Sequence, residues 1–409
     1  VFFIIYLITE KNPKTKKFLL IALCLRTFLV ILDEYFMSLP LSDGDATTFE
    51  KHAHIWSIEQ GYGVISNIFT GSSYFISYII AIFYVFLDRS EMMVKMFSVG
   101  FGTASVYLIY RLTQIIWGTP AALKAGWISA LFPSFVLYSS LIMREPYIVF
   151  FLVYALIHCV LFLKNNRFIN IIKLFFGFFL ATLFHGPIIL GLFIFIFYVF
   201  FQILFKNKFF FKISKKNYYS IFLIPIILLP IITYVLGYYS IPKVGNIKNI
   251  GSFNEQDNEI NTKVTISEKI IWKIKKASRL TANDKLGSNF PSWIIPENLN
   301  ELIYLSPVRM FYLFYSPLPW DVKTFKHCFG LLDSFLYFYL TLCIWRNAKI
   351  IYENPQTRFL LIILILFIFI YSFGVGNFGT SMRHRLKFIG ILITIAAQKT
   401  PNIKFFRNK

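Results

Sequence analysis

Acidic side chains are scarce in this sequence. Its 409 residues hold 20 Asp and Glu against 41 Lys and Arg, and charged residues of both signs make up 15% of the chain, against roughly 25% in soluble globular proteins. So small a stock cannot cover the surface of several water-soluble domains, and that organisation is excluded. Cysteine is nearly absent: Cys24, Cys159, Cys328 and Cys343 stand far apart with no C-x-x-C pair, so no zinc-ligand spacing or disulfide framework can be read. No short period recurs, which disfavours a solenoid. With 57% of residues apolar, among them 49 Phe, a disordered or coiled-coil chain is excluded as well. What the sequence has in quantity is long apolar runs, and the expected class is an all-α polytopic membrane protein. The formal charge of +21 would suggest nucleic acid in a soluble chain. Here it reads as Lys and Arg kept in cytoplasmic loops, with membrane lipids rather than nucleic acid as partner.

Apolar runs fall at residues 18–38, 92–117, 121–141, 146–163, 168–184, 187–205, 218–238, 330–346, 358–374 and 386–397. They predict about ten or more transmembrane helices. Residues 1–9 are shorter than the ~20 residues a span needs and read as the stump of a truncated helix or a short interfacial segment. Alternate connections carry the positive charge: Lys11 to Lys17, Arg111 with Lys124, Lys164 with Arg167, Lys206 to Lys216, Arg346 to Arg358, and Lys399 to Lys409. A single orientation puts all of these in the cytoplasm. Residues 39–91 and 239–329 then become two long extracytoplasmic loops, the first with an amphipathic stretch at 73–87. The lysines of the second loop do not oppose this, because long loops cross largely regardless of charge. Three parts follow: an N-terminal transmembrane module, 1–238, with the first outer loop; the extracytoplasmic loop 239–329 with an interfacial aromatic segment; and C-terminal helices with a basic cytoplasmic tail, 330–409.

Ionisable residues at the ends of spans are costly in lipid and therefore informative. Asp43-Gly44-Asp45 opens the first outer loop. Either carboxylate could cap a helix running through Trp56, and equally the pair could hold a divalent cation such as Mg or Mn, or leave one carboxylate as a general base. Arg144 and Glu145 sit at the next outer corner, where a snorkelling Arg and a first-turn Glu are the plain alternative to a functional role. His185-Gly186-Pro187 breaks an apolar stretch, as a helix terminator or a ligand. Arg383, His384, Arg385 and Lys387 form a basic cluster on the outer face, which the topology does not explain and an anion would. Arg309 is a lone cation among aromatics that otherwise read as an interfacial belt. Together the carboxylates Asp43, Asp45 and Glu145 and the cations Arg144, Arg309, Arg383 and Arg385, with His185 between, form an acid/base set facing a phosphate-binding set. Arg forks suit phosphate. The combination points to group transfer from a lipid phosphate.

These corners resemble the GT-C class of integral membrane glycosyltransferases, which includes the protein O-mannosyltransferases and the aminoarabinose transferase acting on lipid A. The matching residues are Asp43-Gly44-Asp45-Ala46 with Phe49 and Ala53; Ser77, Tyr78 and Ala81 through Gly102, Tyr110 and Arg111; Pro133, Tyr138 and Glu145; Ala181, Thr182 and His185-Gly186-Pro187; and Arg383, His384, Arg385 and Phe388. The likeness covers residues 18–205 well and 305–397 loosely. In that class Lys or Arg commonly stands where this chain has His185. The resemblance implies a GT-C-like helical bundle in a bacterial inner membrane, active on its periplasmic face in cell-envelope polysaccharide biosynthesis. It implies a polyprenyl-phosphate sugar donor and a lipid, glycan or protein acceptor. Asp45 or Asp43 would be the general base for inverting hexosyl or pentosyl transfer, with Arg383, Arg385 and His185 holding the leaving phosphate. Two rivals remain: an O-antigen or capsule polymerase, and a transporter of lipid-linked glycans.

Overall fold

The computed structural model describes residues 13–40, 42–68, 74–204, 289–323 and 325–401. The expected span 218–238, the basic loop 206–216, most of the second outer loop, the ends of the chain and the Asp43 side chain lie outside the described residues. Within them the chain is all-helical, with no strand beyond one isolated bridge between Asn289 and Asn377.

The first helix, α1 (Pro13–Tyr35), is followed by α2 (Thr47–Gln60) and α3 (Phe75–Leu87), then by α4 (Glu91–Trp117). Ser90 accepts the Met93 N–H to start α4. Next come α5 (Thr119–Leu131) and α6 (Pro133–Tyr138). The run expected as one span at 121–141 is therefore two helices: Pro133 has no N–H to continue the ladder, and Phe132 is extended. Helix α7 (Glu145–Asn165) ends on the left-handed Asn166 (φ 51°) and turns into α8 (Phe168–Phe184) and α9 (Ile189–Leu204). After the undescribed segment come α10 (Leu299–Tyr315), α11 (Phe325–Trp345), the short α12 (Ala348–Glu353), α13 (Pro355–Ser372), α14 (Phe378–Leu386) and α15 (Ile389–Ala396). Asn298, Asn354 and Asn377 cap α10, α13 and α14 through their side-chain oxygens, as short polar residues do where four backbone N–H groups lack partners.

Among the described residues, four helices are long and apolar enough to cross a membrane: α4, α7, the stretch His327–Trp345 of α11, and α13. Helix α1 matches them in length at 23 residues but carries Arg26, Asp33 and Glu34, and these charges are met inside the protein. Arg26 donates to Ser139 Oγ (2.7 Å) and to the carbonyls of Ala22 and Ala130; Lys95 of α4 pairs with Asp33 (2.9 Å) and Glu34 (2.5 Å). The run expected as a last span at 386–397 contains an eight-residue helix, about 12 Å long against a hydrocarbon core of about 30 Å. All eight of its residues are buried in protein, which explains their apolar character without lipid contact. Residues 299–315, placed by sequence in an outer loop, form α10, which packs against α13 and α14.

The bundle has two distinct ends. At one, Trp117 Nε1 donates to the Thr394 carbonyl (3.0 Å), Lys124 Nζ to the Thr400 carbonyl (2.6 Å) and Asn347 to Gln398 (2.5 Å). These tie together connections that sequence puts on one side of the membrane. Toward the other end, residues 42–50, 144–145, 185 and 383–387 gather around Glu145 and Arg383. Helices α7 and α8 meet closely enough that a Cβ on Gly177 would lie 2.9 Å from Ala155 Cβ and 3.0 Å from its backbone nitrogen. Because the obstacle includes backbone, Gly177→Val should force the helices apart at a cost of about 1–3 kcal/mol. Thermal melting in detergent should show a lowered midpoint, whereas Phe176→Leu, on an exposed side chain next to it, should leave the midpoint nearly unchanged.

Candidate functional site

Glu145 is the first residue of α7, with Pro146 after it where a missing N–H costs nothing. The helix N-terminus favours its charge, but the carboxylate is 0% exposed, so cations must compensate it. Arg383 of α14 does so directly, donating from Nε to Glu145 Oε1 at 2.6 Å. Arg144 Nε and Lys387 Nζ each stand 4.0 Å from the same oxygen. The other arm of Arg383 forms an ion pair with Asp45, which lies in the single turn Ser42–Ala46. The two carboxylates differ in setting, because the Asp45 side chain is 52% exposed. Both guanidiniums, of Arg144 and Arg383, lie 5.8 Å from the centroid of the Phe49 ring, within cation–π range. Two polar atoms at the centre, Glu145 Oε2 and Arg383 Nη2, are buried with no hydrogen-bond partner among the described residues. Such orphans are rare in proteins and point to a ligand or water.

A second layer adjoins this cluster. Lys387 Nζ stands 3.1 Å from His384 Nδ1. His185, immediately after the last residue of α8, comes within 2.9 Å of the Tyr371 hydroxyl through Nδ1. The two imidazoles stand 5.6 Å apart. Burial first, then the charge of Lys387, holds both His185 and His384 well below the usual histidine value.

Of the residues singled out by sequence, Asp45, Glu145, Arg144, Arg383 and His185 come together. The capping alternative for Asp45 is not realised, since α2 starts without a side-chain cap. Arg309 and Arg385 occupy different surroundings. Arg309 is fully buried and donates to the carbonyls of Ser372, Ile294, Phe373 and Val375. Arg385 donates to Asp333 (2.7 Å), Ser334 Oγ and the carbonyls of Phe314 and Ser316. Both guanidiniums thus bind the chain itself, joining α10, α11, α13 and α14, and neither contacts the Glu145 cluster. Lys387 and His384 were legible only as members of a basic run. Tyr371 gave no signal, being one more aromatic residue in an apolar helix.

A cavity of about 300 Å³ opens nearby. Its wall includes Ala46 and Thr47, which follow Asp45, and Leu141 and Ile142, which precede Arg144. Two ion-pair groups form its polar side: Arg89 with Glu50 (2.8 Å) and Glu91 (3.0 Å), and Lys95 with Asp33 and Glu34. Among the described residues, no group of three or more His, Cys, Asp or Glu side chains is arranged to hold a metal ion. With Asp45 committed to Arg383, the described donors do not fit a divalent cation at this cluster. No family model and no curated protein matches the chain.

The two histidines make stability depend on pH. An unfolded imidazole takes up a proton near pH 6.5, whereas His185 and His384 in the fold face Lys387, Arg144 and Arg383 and resist protonation. The unfolded chain therefore binds more protons below that pH, and stability falls as pH is lowered. Thermal melting between about pH 7 and pH 5 should show a midpoint that drops with acidification, and His384→Gln should flatten that slope.

Proposed function

We propose that this chain is an integral membrane glycosyltransferase that moves a hexosyl or pentosyl unit from a polyprenyl-phosphate donor to an acceptor hydroxyl at the extracytoplasmic face. The observation that carries the reading is the convergence of one exposed and one buried carboxylate on Arg383, with Arg144 and Lys387 beside them and an unpartnered N–H at the centre. Among the described residues, the all-helical structure and its four membrane-length apolar helices are compatible with it. The finer architecture belongs to the same proposal: a GT-C-like bundle of ten or more spans in a bacterial inner membrane, with α1 as a further span and the Glu145 end facing the periplasm.

In the reaction, Asp45 takes the proton of the acceptor hydroxyl. The acceptor oxygen forms a bond to the anomeric carbon as the bond from that carbon to the phosphate oxygen breaks, and the electron pair leaves with the phosphate. A single in-line displacement inverts the centre. Negative charge grows on the phosphate, and the cations Arg383, Arg144 and Lys387 are set to stabilise it without reorganising. Glu145 fixes Arg383 from behind. Arg309 and Arg385 act here as scaffold. The mixed-charge wall of the neighbouring cavity suits a hydroxyl-bearing acceptor better than a second anion, with four carboxylates (Asp33, Glu34, Glu50, Glu91) against three cations (Lys51, Arg89, Lys95).

The test is transfer of labelled sugar from polyprenyl-phosphate donors by the purified protein. Asp45→Asn should lower turnover by about 10²–10⁴-fold, the usual contribution of a general base, and still bind polyprenyl phosphate; Arg383→Gln should lose that binding. A chain that yields no glycosyl product with any polyprenyl-phosphate sugar is not this enzyme, and flux of intact lipid-linked glycan across vesicles would then assign it as a transporter. Product formed only from lipid diphosphate-linked oligosaccharides would assign it as a polymerase.

A further inference from the structure

The Arg383 guanidinium is shared unequally. On its buried side, Nε donates to Glu145, a fully enclosed carboxylate. On its outer side, Nη1 pairs with the half-exposed Asp45, and Nη2 is buried with no hydrogen-bond partner among the described residues. A phosphate held in fork fashion takes two N–H groups of one guanidinium together. With Nε committed, the two groups left are Nη2, which is unpartnered, and Nη1, which Asp45 occupies. Each Nη carries two N–H groups, but a carboxylate seated at Nη1 repels a phosphate approaching the same edge, so the fork closes most readily once one carboxylate gives way. Releasing Glu145 would strand a charge in the protein interior, which is strongly unfavourable. Releasing Asp45 returns a carboxylate to water. The Asp45 side chain is 52% exposed and already borders solvent.

We propose that the lipid phosphate displaces Asp45 from Arg383, so that donor binding itself releases the carboxylate that serves as base. The inference rests on the glycosyl-transfer reading and adds an order of events to it. A carboxylate paired with a guanidinium is a poor proton acceptor, so the empty enzyme keeps its base muted, and an acceptor hydroxyl is activated only once a phosphate has taken the fork. The exchange also gives Arg383 two roles in sequence, first as restraint on the base and then as the grip on the leaving group.

Competition has a signature that a structural role for Asp45 lacks: removing it should tighten phosphate binding. The full-length protein in nanodiscs is titrated with undecaprenyl phosphate, and binding is read by intrinsic tryptophan fluorescence. Asp45→Asn and Asp45→Ala should each bind roughly fivefold more tightly than wild type, the scale of one partly exposed charge-assisted contact. That gain should persist at about 0.5 M salt, where longer-range charge effects are screened. Glu91→Gln removes an equal charge from a carboxylate paired with Arg89 rather than Arg383 and should change affinity by less than about twofold. Equal affinity in wild type and both Asp45 variants overturns the exchange while leaving the lipid-phosphate reading intact, as does an equal gain from Glu91→Gln. Failure of the wild type to distinguish undecaprenyl phosphate from undecaprenol removes the reading and the exchange together. Inorganic phosphate binding as tightly as the lipid would assign the fork to a soluble anion and overturn the proposal as stated.

Discussion

The arrangement at the Glu145 end of the bundle depends on one buried charge. Glu145 opens α7 inside an apolar bundle, and an ionised carboxylate there is tolerable only with cations at hand. Arg383 meets it from α14, Arg144 from the preceding residue and Lys387 from the position just after α14. Meeting that requirement pulls the C-terminal helices onto the N-terminal ones. It explains why α14 and α15 sit deep in the structure although α15 is too short to span a bilayer. The compensation also overshoots, with more cation than the buried carboxylate needs. Part of that surplus meets Asp45 through Arg383, which makes a structural solution usable as a binding site.

Three other arginines show why burial alone does not identify function. Arg26, Arg309 and Arg385 are all 0% exposed, more deeply buried than Arg383. What separates them is the partner. Arg309 donates to backbone carbonyls at helix ends and breaks, groups that would otherwise lack partners, and Arg26 to Ser139 Oγ, the Ala130 carbonyl at the end of α5 and the Ala22 carbonyl of its own helix. Arg385 neutralises Asp333, which in turn accepts the Ser134 N–H where α6 begins. Each links segments far apart in sequence and presents nothing outward. Arg383 alone of the four bridges two carboxylates of unequal exposure, so its position can answer to a ligand.

These differences set the limit of what the sequence disclosed. Helix positions in the N-terminal half were legible because apolar runs of bilayer length are bounded by Pro, Asn and charge; the run 168–184 coincides with α8. The outer corners were legible because Asp45, Glu145, Arg144, His185 and Arg383 are ionisable residues at the ends of apolar runs, where each is too costly to be incidental. The internal break at Pro133 was signalled by proline but masked by apolar sequence on either side. The character of α15 was not readable, since an apolar stretch buried in protein and one facing lipid have the same composition. Arg309 and Arg385 looked like anion ligands because a sequence shows a cation without showing the carbonyls that will surround it. Tyr371 became a neighbour of His185 only through the packing of α13 against α7 and α9, a contact between residues 186 apart.

The cavity and the cation cluster lie side by side with opposite electrostatic character, and that contrast bears on how two substrates could be kept apart. The cavity wall holds an excess of one carboxylate over its cations, most of them already paired with one another, so an incoming phosphate meets a slightly negative surface there. The Arg383 cluster offers an unpartnered N–H and the surplus of positive charge. On the proposed glycosyl-transfer reading, this contrast would steer an anionic donor to the cluster and leave the cavity to a neutral polyhydroxylated acceptor. Asp45 sits in the turn between them, next to Ala46 and Thr47 of the cavity wall and paired with the arginine of the cluster. On the proposed reading a base must reach the acceptor hydroxyl close to the donor's anomeric carbon, and Asp45 joins the turn beside the cavity wall to the arginine of the cluster.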